Sequence, residues 1–154
     1  MVLSLPPFYS LLSKYKLLKD AHIVLLCPRG KRLTQSKVRE LEKISTSKTL
    51  VFLCGHYEGI DERIKEFISE DISIGEYILS SGTLASSILI DAIVRLIPGV
   101  ISEESLLSES FNTLDTEEDL DFGVYAPPRD FMGHKVPEIL YTGNHKKIKK
   151  FRKG

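Results

Sequence analysis

The chain has 154 residues, 42% of them hydrophobic, with 21 basic and 21 acidic side chains and a formal net charge of zero. That length suits about one domain with a buried core, and the balanced charge excludes a global field that would by itself draw a polyanion or a membrane surface. The imbalance is local: residues 103–121 carry eight carboxylates and no base, and residues 145–153 carry six lysines or arginines and no acid.

In chain order, residues 7–19 place Phe8, Leu11, Leu12, Tyr15 and Leu18 at helical spacing with lysines between them, which predicts an amphipathic helix. His22–Leu26 is a continuous apolar run, the pattern of a strand buried on both faces. A second helix follows over Lys37–Ile44, capped by Thr34 or Ser36, and then a strand at Leu50–Leu53. Asp61–Ser69 is a short helix candidate, and Asp71–Leu79 reads as a strand. Thr83–Ile97 is helical and apolar around most of its circumference, so it belongs between layers or in a subunit interface. Ile101–Pro128 turns polar and reads as a long mobile loop, a segment of about 102–128. Val136–Tyr141 is a last apolar segment before the basic tail at 145–153. Alternating helix and strand predicts an α/β fold with a mainly parallel sheet, here as a single domain spanning 1–154.

The apolar stretch at 86–101 is interrupted by Asp91, Arg95 and Pro98, which argues against a membrane span. The N-terminus lacks a leading basic region and contains Pro6-Pro7, unlike a signal peptide. Cys27 and Cys54 show neither zinc nor redox-pair spacing, and reduced, packed thiols are expected. These features together suggest a cytoplasmic protein that has no membrane partner.

Three of the apolar runs stop at small, flexible turns: HIVLLC at CPRGK (27–31), TLVFLC at CGHYEG (54–59), and YILSSG at 77–82. Strands that end this way at a common edge leave main-chain amides and carbonyls free to hold a nucleoside-like ligand. Each turn also has a plainer reading. Leu26–Pro28 could be an ordinary strand exit, Glu58 and Asp61 could cap the next helix, and Ile74, Tyr77, Leu79 and Gly82 could be a buried strand with a glycine turn. Arg95 could simply favour the helix C-terminus.

The segments CGHYEGIDER (54–63), SIGEYILSSGTLASSILIDAIVRLIPGV (73–100), SESF (108–111) and VPEILYTGNHKKIKKFR (136–152) resemble the bacterial tRNA (guanine-N1)-methyltransferases, members of the SPOUT class. The resemblance runs almost end to end. It implies an α/β fold with a deep trefoil knot, S-adenosylmethionine as cofactor, tRNA as substrate and a homodimer as the working unit. In that family a glycine-rich GGGPGM motif precedes this region and a helical domain follows it, so the chain corresponds to the cofactor-binding core.

The resemblance also assigns roles. Leu26, Cys27 and Pro28 match the first cofactor loop, Gly55 and Tyr57 the second, and Ile74, Tyr77, Leu79 and Gly82 the third. Glu58 matches a residue that contacts substrate RNA. Arg95 matches an arginine that offsets charge developing on the guanine oxygen. Glu109, within SESF, stands where the family has a catalytic aspartate, with Asp115 a nearby substitute. The implied activity is methyl transfer to N1 of the guanine 3′ to the anticodon. A shortened homologue that dimerises and binds cofactor or RNA without catalysing is the alternative. Ser81 stands where the family has a second glycine, Cys27 where serine is usual, His56 where a basic residue is usual and Pro127 where arginine is expected.

Overall fold

An unbroken apolar run from Ile23 to Leu26 can be satisfied only in the middle of a sheet covered on both faces. In the computed structural model, which describes residues 1–107, 109–111 and 122–152, this run lies in β1, Ala21–Arg32. The period of two along a strand turns Ile23 and Leu25 into one buried cluster and Val24 and Leu26 into the other. β2, Thr49–Cys54, pairs in parallel along one edge of β1, from Ala21 opposite Thr49 to Leu26 opposite Cys54. β3, Glu70–Ser73, pairs in parallel along the other edge, giving the order β2–β1–β3.

Helices cover both faces. On one side Val38 and Leu41 of α3 (Gln35–Ser45) and Leu89 and Ile93 of α4 (Gly82–Val94) pack on Val24, Leu26 and Ile72. On the other, Leu12 of α1 (Leu5–Lys14) and Ile64 of a 3-10 helix (Glu62–Phe67) pack on Ile23, Leu25 and Leu53. Leu12, Leu41, Ile64 and Leu89 are almost wholly buried, and each contributes about 1.5–3 kcal/mol of hydrophobic stabilisation. The Thr34 hydroxyl accepts the Lys37 N–H at 3.3 Å and caps α3.

Several boundaries differ from the sequence expectation. The amphipathic segment at 7–19 splits into α1 and a short α2 (Leu17–Asp20), because Lys16 takes a left-handed conformation at φ 56°. That break lets Leu17 and Leu18 join the cluster around Leu12. β1 does not stop at Leu26. It runs on through CPRGK with a bulge, after which Lys31 and Arg32 pair with Ile72 and Ser73. Gly30 makes this possible: a Cβ there would lie 2.5 Å from the Ile72 nitrogen. β3 ends at Ser73 rather than Leu79, and the helix expected at 61–69 is the 3-10 helix.

α4 buries Ala85, Ser86, Leu89 and Ile93, and leaves Leu84, Ile88, Ile90 and Val94 exposed. The segment read as a loop from Ile101 opens with a helix, α5, at Glu103–Leu107. Asp115 and Lys153 lie outside the described residues.

The chain divides into two units, Met1–Leu107 and Ser108–Gly154. The second holds a hairpin of β4 (Asp130–Phe131) and β5 (His134–Lys135), turned by Met132 and Gly133 at positive φ. A 3-10 helix, Glu138–Tyr141, and α6, His145–Arg152, follow. The Arg129 guanidinium stacks 3.9 Å over the Tyr141 ring, and Asn144 Oδ1 accepts the Lys147 N–H at 3.1 Å to cap α6. Among the described residues no helix is long and apolar enough to cross a membrane.

Candidate functional site

A cavity of about 320 Å³ opens where β2 and β3 end and β1 bulges, within the size range of about 300–1,000 Å³ usual for small-molecule sites. Its first wall is the bulged part of β1, where the main chain leaves its regular pairing between Leu26 and Lys31. Leu26, Cys27 and Pro28 all line it. A bulge frees strand amides and carbonyls from the ladder, so this wall can offer main-chain donors and acceptors beside the Arg29 side chain.

The second wall is the turn after β2. The Gly59 N–H donates to the His56 carbonyl at 3.1 Å, and Tyr57 sits in that turn at φ 59°. A left-handed conformation costs a bulky residue roughly 1–2 kcal/mol, and such outliers collect at ligand sites. Tyr57 is 74% exposed and lines the cavity with Gly55 and Glu58. Asp61, and not Glu58, caps the following 3-10 helix by accepting the Arg63 N–H at 3.0 Å. The Glu58 carboxylate instead takes the Met1 amine at 2.8 Å.

The third wall runs from Ile74 to Gly82 and contributes Ile74, Tyr77, Leu79 and Gly82. The Tyr77 ring fills the place a Cβ on Gly75 would need. Gly82 closes the wall against the second: its N–H donates to the Gly55 carbonyl at 3.2 Å, and a Cβ on it would lie 3.1 Å from Cys54 Cα. Every residue expected in the three cofactor loops, together with Glu58, therefore lines a single cavity. Arg95 is half-buried as the C-cap residue of α4 and does not line it. Glu109 belongs to the second unit and is half-buried.

Sequence reasoning missed a charged rim. Arg29 Nη2 meets Glu62 Oε2 at 2.6 Å, and Lys65 Nζ meets Glu62 Oε1 at 2.7 Å and Asp71 Oδ2 at 3.5 Å; Arg29, Glu62 and Lys65 line the cavity. Hydrogen bonds from Lys65 and Arg29 hold the Glu62 carboxyl below its ordinary value. Beside it, the Arg63 side chain and N–H hold Asp61 down at about 2. The sequence signal lay in CPRGK and DERIK: Glu62 and Lys65 pair locally within the 3-10 helix, and Arg29 joins them across the cavity rim.

The family model for the tRNA (Guanine-1)-methyltransferase TrmD matches residues 1–154. The chain belongs to this family. It is 45% identical over 153 residues to a tRNA (guanine-N(1)-)-methyltransferase of Mycoplasma genitalium, covering 99% of this chain and 63% of that protein. A protein of the same name from Thermosipho africanus is 44% identical over 154 residues, covering 99% of this chain and 60% of its own length. One from Bacillus cereus is 45% identical over 136 residues, 87% of this chain and 53% of that protein. The chain thus spans about three fifths of the length of the first two curated relatives. Family membership accords with the observed α/β architecture and its parallel three-stranded sheet.

Proposed function

We propose that the chain is the cofactor-binding core of an S-adenosylmethionine-dependent methyltransferase that modifies N1 of the guanine 3′ to the anticodon in tRNA. The observation that carries this reading is the convergence of the three loops on one cavity, in a chain of the family just described. The lining fits the cofactor chemically. Apolar walls from Leu26, Ile74 and Leu79 and the rings of Tyr57 and Tyr77 suit an adenosine, and the bulged main chain suits its uncharged polar edges.

When bound, S-adenosylmethionine supplies a methyl group made electrophilic by its sulfonium sulfur. The protein's own residues do the rest. Guanine N1 carries a proton and is a poor nucleophile until that proton leaves, so Glu109 acts as the base and takes it. Arg95 offsets the negative charge that then develops on the guanine oxygen. Glu58 holds the RNA at the mouth of the second loop, and the lysines of α6 meet its phosphates, which makes affinity salt-dependent. The target base must be splayed out of its loop to reach such a site.

The finer fold we propose is the deep trefoil knot of the SPOUT class. A homodimer is its working form, located in the cytoplasm, with the base-bearing segment of one copy serving the cofactor loops of the other. The exposed apolar side chains of α4, Leu84 at 56% and Ile88 at 48%, supply a surface for that second copy.

A methyl-transfer assay on unmodified tRNA tests the reading. Wild type should transfer the methyl, and Glu109→Ala and Arg95→Ala should each lose about a hundredfold or more in rate. S-adenosylmethionine binding by calorimetry without any transfer would instead leave a binding-only protein.

A further inference from the structure

Two of the three pocket positions that the resemblance marks as departures, His56 and Ser81 but not Cys27, stand in contact. His56 Nε2 lies 3.2 Å from Ser81 Oγ, joining residues 25 apart in sequence across the mouth of the cavity. Both line that cavity, His56 from the second wall and Ser81 from the third.

The hydrogen-bond count favours His56 as the donor. Ser81 Oγ donates its one proton to Thr83 Oγ1 at 2.9 Å and accepts the Thr83 N–H at 3.1 Å, which caps α4. While Ser81 spends that proton on Thr83, its remaining lone pair accepts and His56 supplies the Nε2–H; the other tautomer would instead take the Ser81 proton. That donor exists in the neutral Nε2–H tautomer and in the imidazolium alike. Between the neighbouring residues, Gly55 before His56 and Gly82 after Ser81, the Gly82 N–H donates to the Gly55 carbonyl at 3.2 Å. The two walls are thus tied twice, once by main chain and once by side chains, and Ser81 couples the side-chain tie to the start of α4.

We propose that His56 is a positioning residue: by donating to Ser81 it holds the second and third loops at the separation the ligand needs. The binding consequence rests on the S-adenosylmethionine reading; the tie itself does not.

The test is a double-mutant cycle on the 154-residue chain with S-adenosylmethionine as the probe. His56→Ala and Ser81→Ala should each weaken binding about three- to tenfold, the worth of one partly exposed hydrogen bond. The double variant should bind no more weakly than the weaker single one, because the shared bond is lost once and the cap contribution of Ser81 cancels in the cycle. His56→Gln, whose amide N–H can also donate, should recover most of the loss. In wild type the nitrogen shifts of neutral His56 should report the Nε2–H tautomer, a preference Ser81→Ala should abolish.

Additive losses, or a glutamine no better than alanine, would overturn the proposal. If wild type binds no S-adenosylmethionine, the cofactor reading falls and the tie is judged without ligand. Protection of the Gly82 amide from hydrogen exchange should then drop in His56→Ala, and unchanged protection would overturn the tie.

Discussion

Where β1 and β3 begin, side-chain charge joins the sheet; where they end, main chain shapes it. At the start, His22 Nε2 meets Glu70 Oε1 at 2.7 Å, and Lys37 of α3 meets the other oxygen at 3.1 Å and Glu40 at 2.7 Å. The Glu70 side chain is only 16% exposed. At the other end the walls are a bulge, a left-handed tyrosine turn and a glycine contact, with charge kept to the solvent-facing rim. A half-buried ion cluster fixes which elements pair and has little room for a guest. An edge built from main chain leaves donors and acceptors open while its side chains supply apolar wall.

The sharpest way to break this contrast is Gly30→Ala. Its Cβ would fall 2.5–2.7 Å from the backbone of Ile72 and Asp71, so the bulged pairing must open, costing about 3 kcal/mol. Urea denaturation reads this, and a cost below about 1 kcal/mol would show that the bulge relaxes freely.

Next in size is Glu70→Gln, which strips the charge from the cluster and costs about 2 kcal/mol. The same residue sets a pH limit. Burial opposes its ionisation, but hydrogen bonds from His22 and Lys37 outweigh burial and hold its carboxyl below the ordinary 4.5. A carboxyl whose folded value is depressed gives its full stability above 4.5 and loses it as pH falls through the folded value. Lys37, raised above 10.5 by Glu40 and Glu70 against desolvation, loses its share as pH climbs past that value. Denaturation across pH should therefore show an acid limb in wild type that Glu70→Gln flattens.

Gly82→Ala sharpens the comparison from the binding end. Its Cβ would meet Cys54 and Gly55 at 3.1–3.3 Å, so the two walls must part by a few tenths of an ångström. Stability should fall by only about 1 kcal/mol, while S-adenosylmethionine binding falls about tenfold by calorimetry. Equal small effects on both would show that the wall spacing does not govern the pocket. The smallest change is Thr34→Ala, which loses the cap of α3 for about 0.5 kcal/mol and should leave ligand binding untouched.

The sequence was most legible where local pattern and tertiary demand agree. The apolar run of β1 signalled a strand covered on both faces, helix–strand alternation signalled the parallel order, and Thr34 marked the start of α3. Reading failed where long-range pairing overrides local punctuation. CPRGK carries proline and glycine and reads as a turn, yet β3 draws it back into the sheet through Gly30. Nothing local distinguishes Tyr15-Lys16 from a helix interior, and the break there answers the packing of Leu17 and Leu18. The residues of the three walls could be read from the sequence although only the turn after β2 ends a strand as expected; the charged rim could not, since Arg29 and Glu62 are 33 residues apart. Ser81 and His56 were visible as departures from a pattern, and only the fold shows that they touch.

The main-chain character of the pocket edge has a consequence for how the sequence can diversify. Where register and turn geometry set the outline of a cavity, as the pairing of Leu26 with Cys54 does here, side chains can drift while the outline stays. More than half the aligned positions differ from the Mycoplasma genitalium relative. Substitution should therefore be better tolerated at Cys27, which is partly buried against the Ile23 cluster, than at Gly30 and Gly82, where a single added carbon changes the shape that all the other positions share.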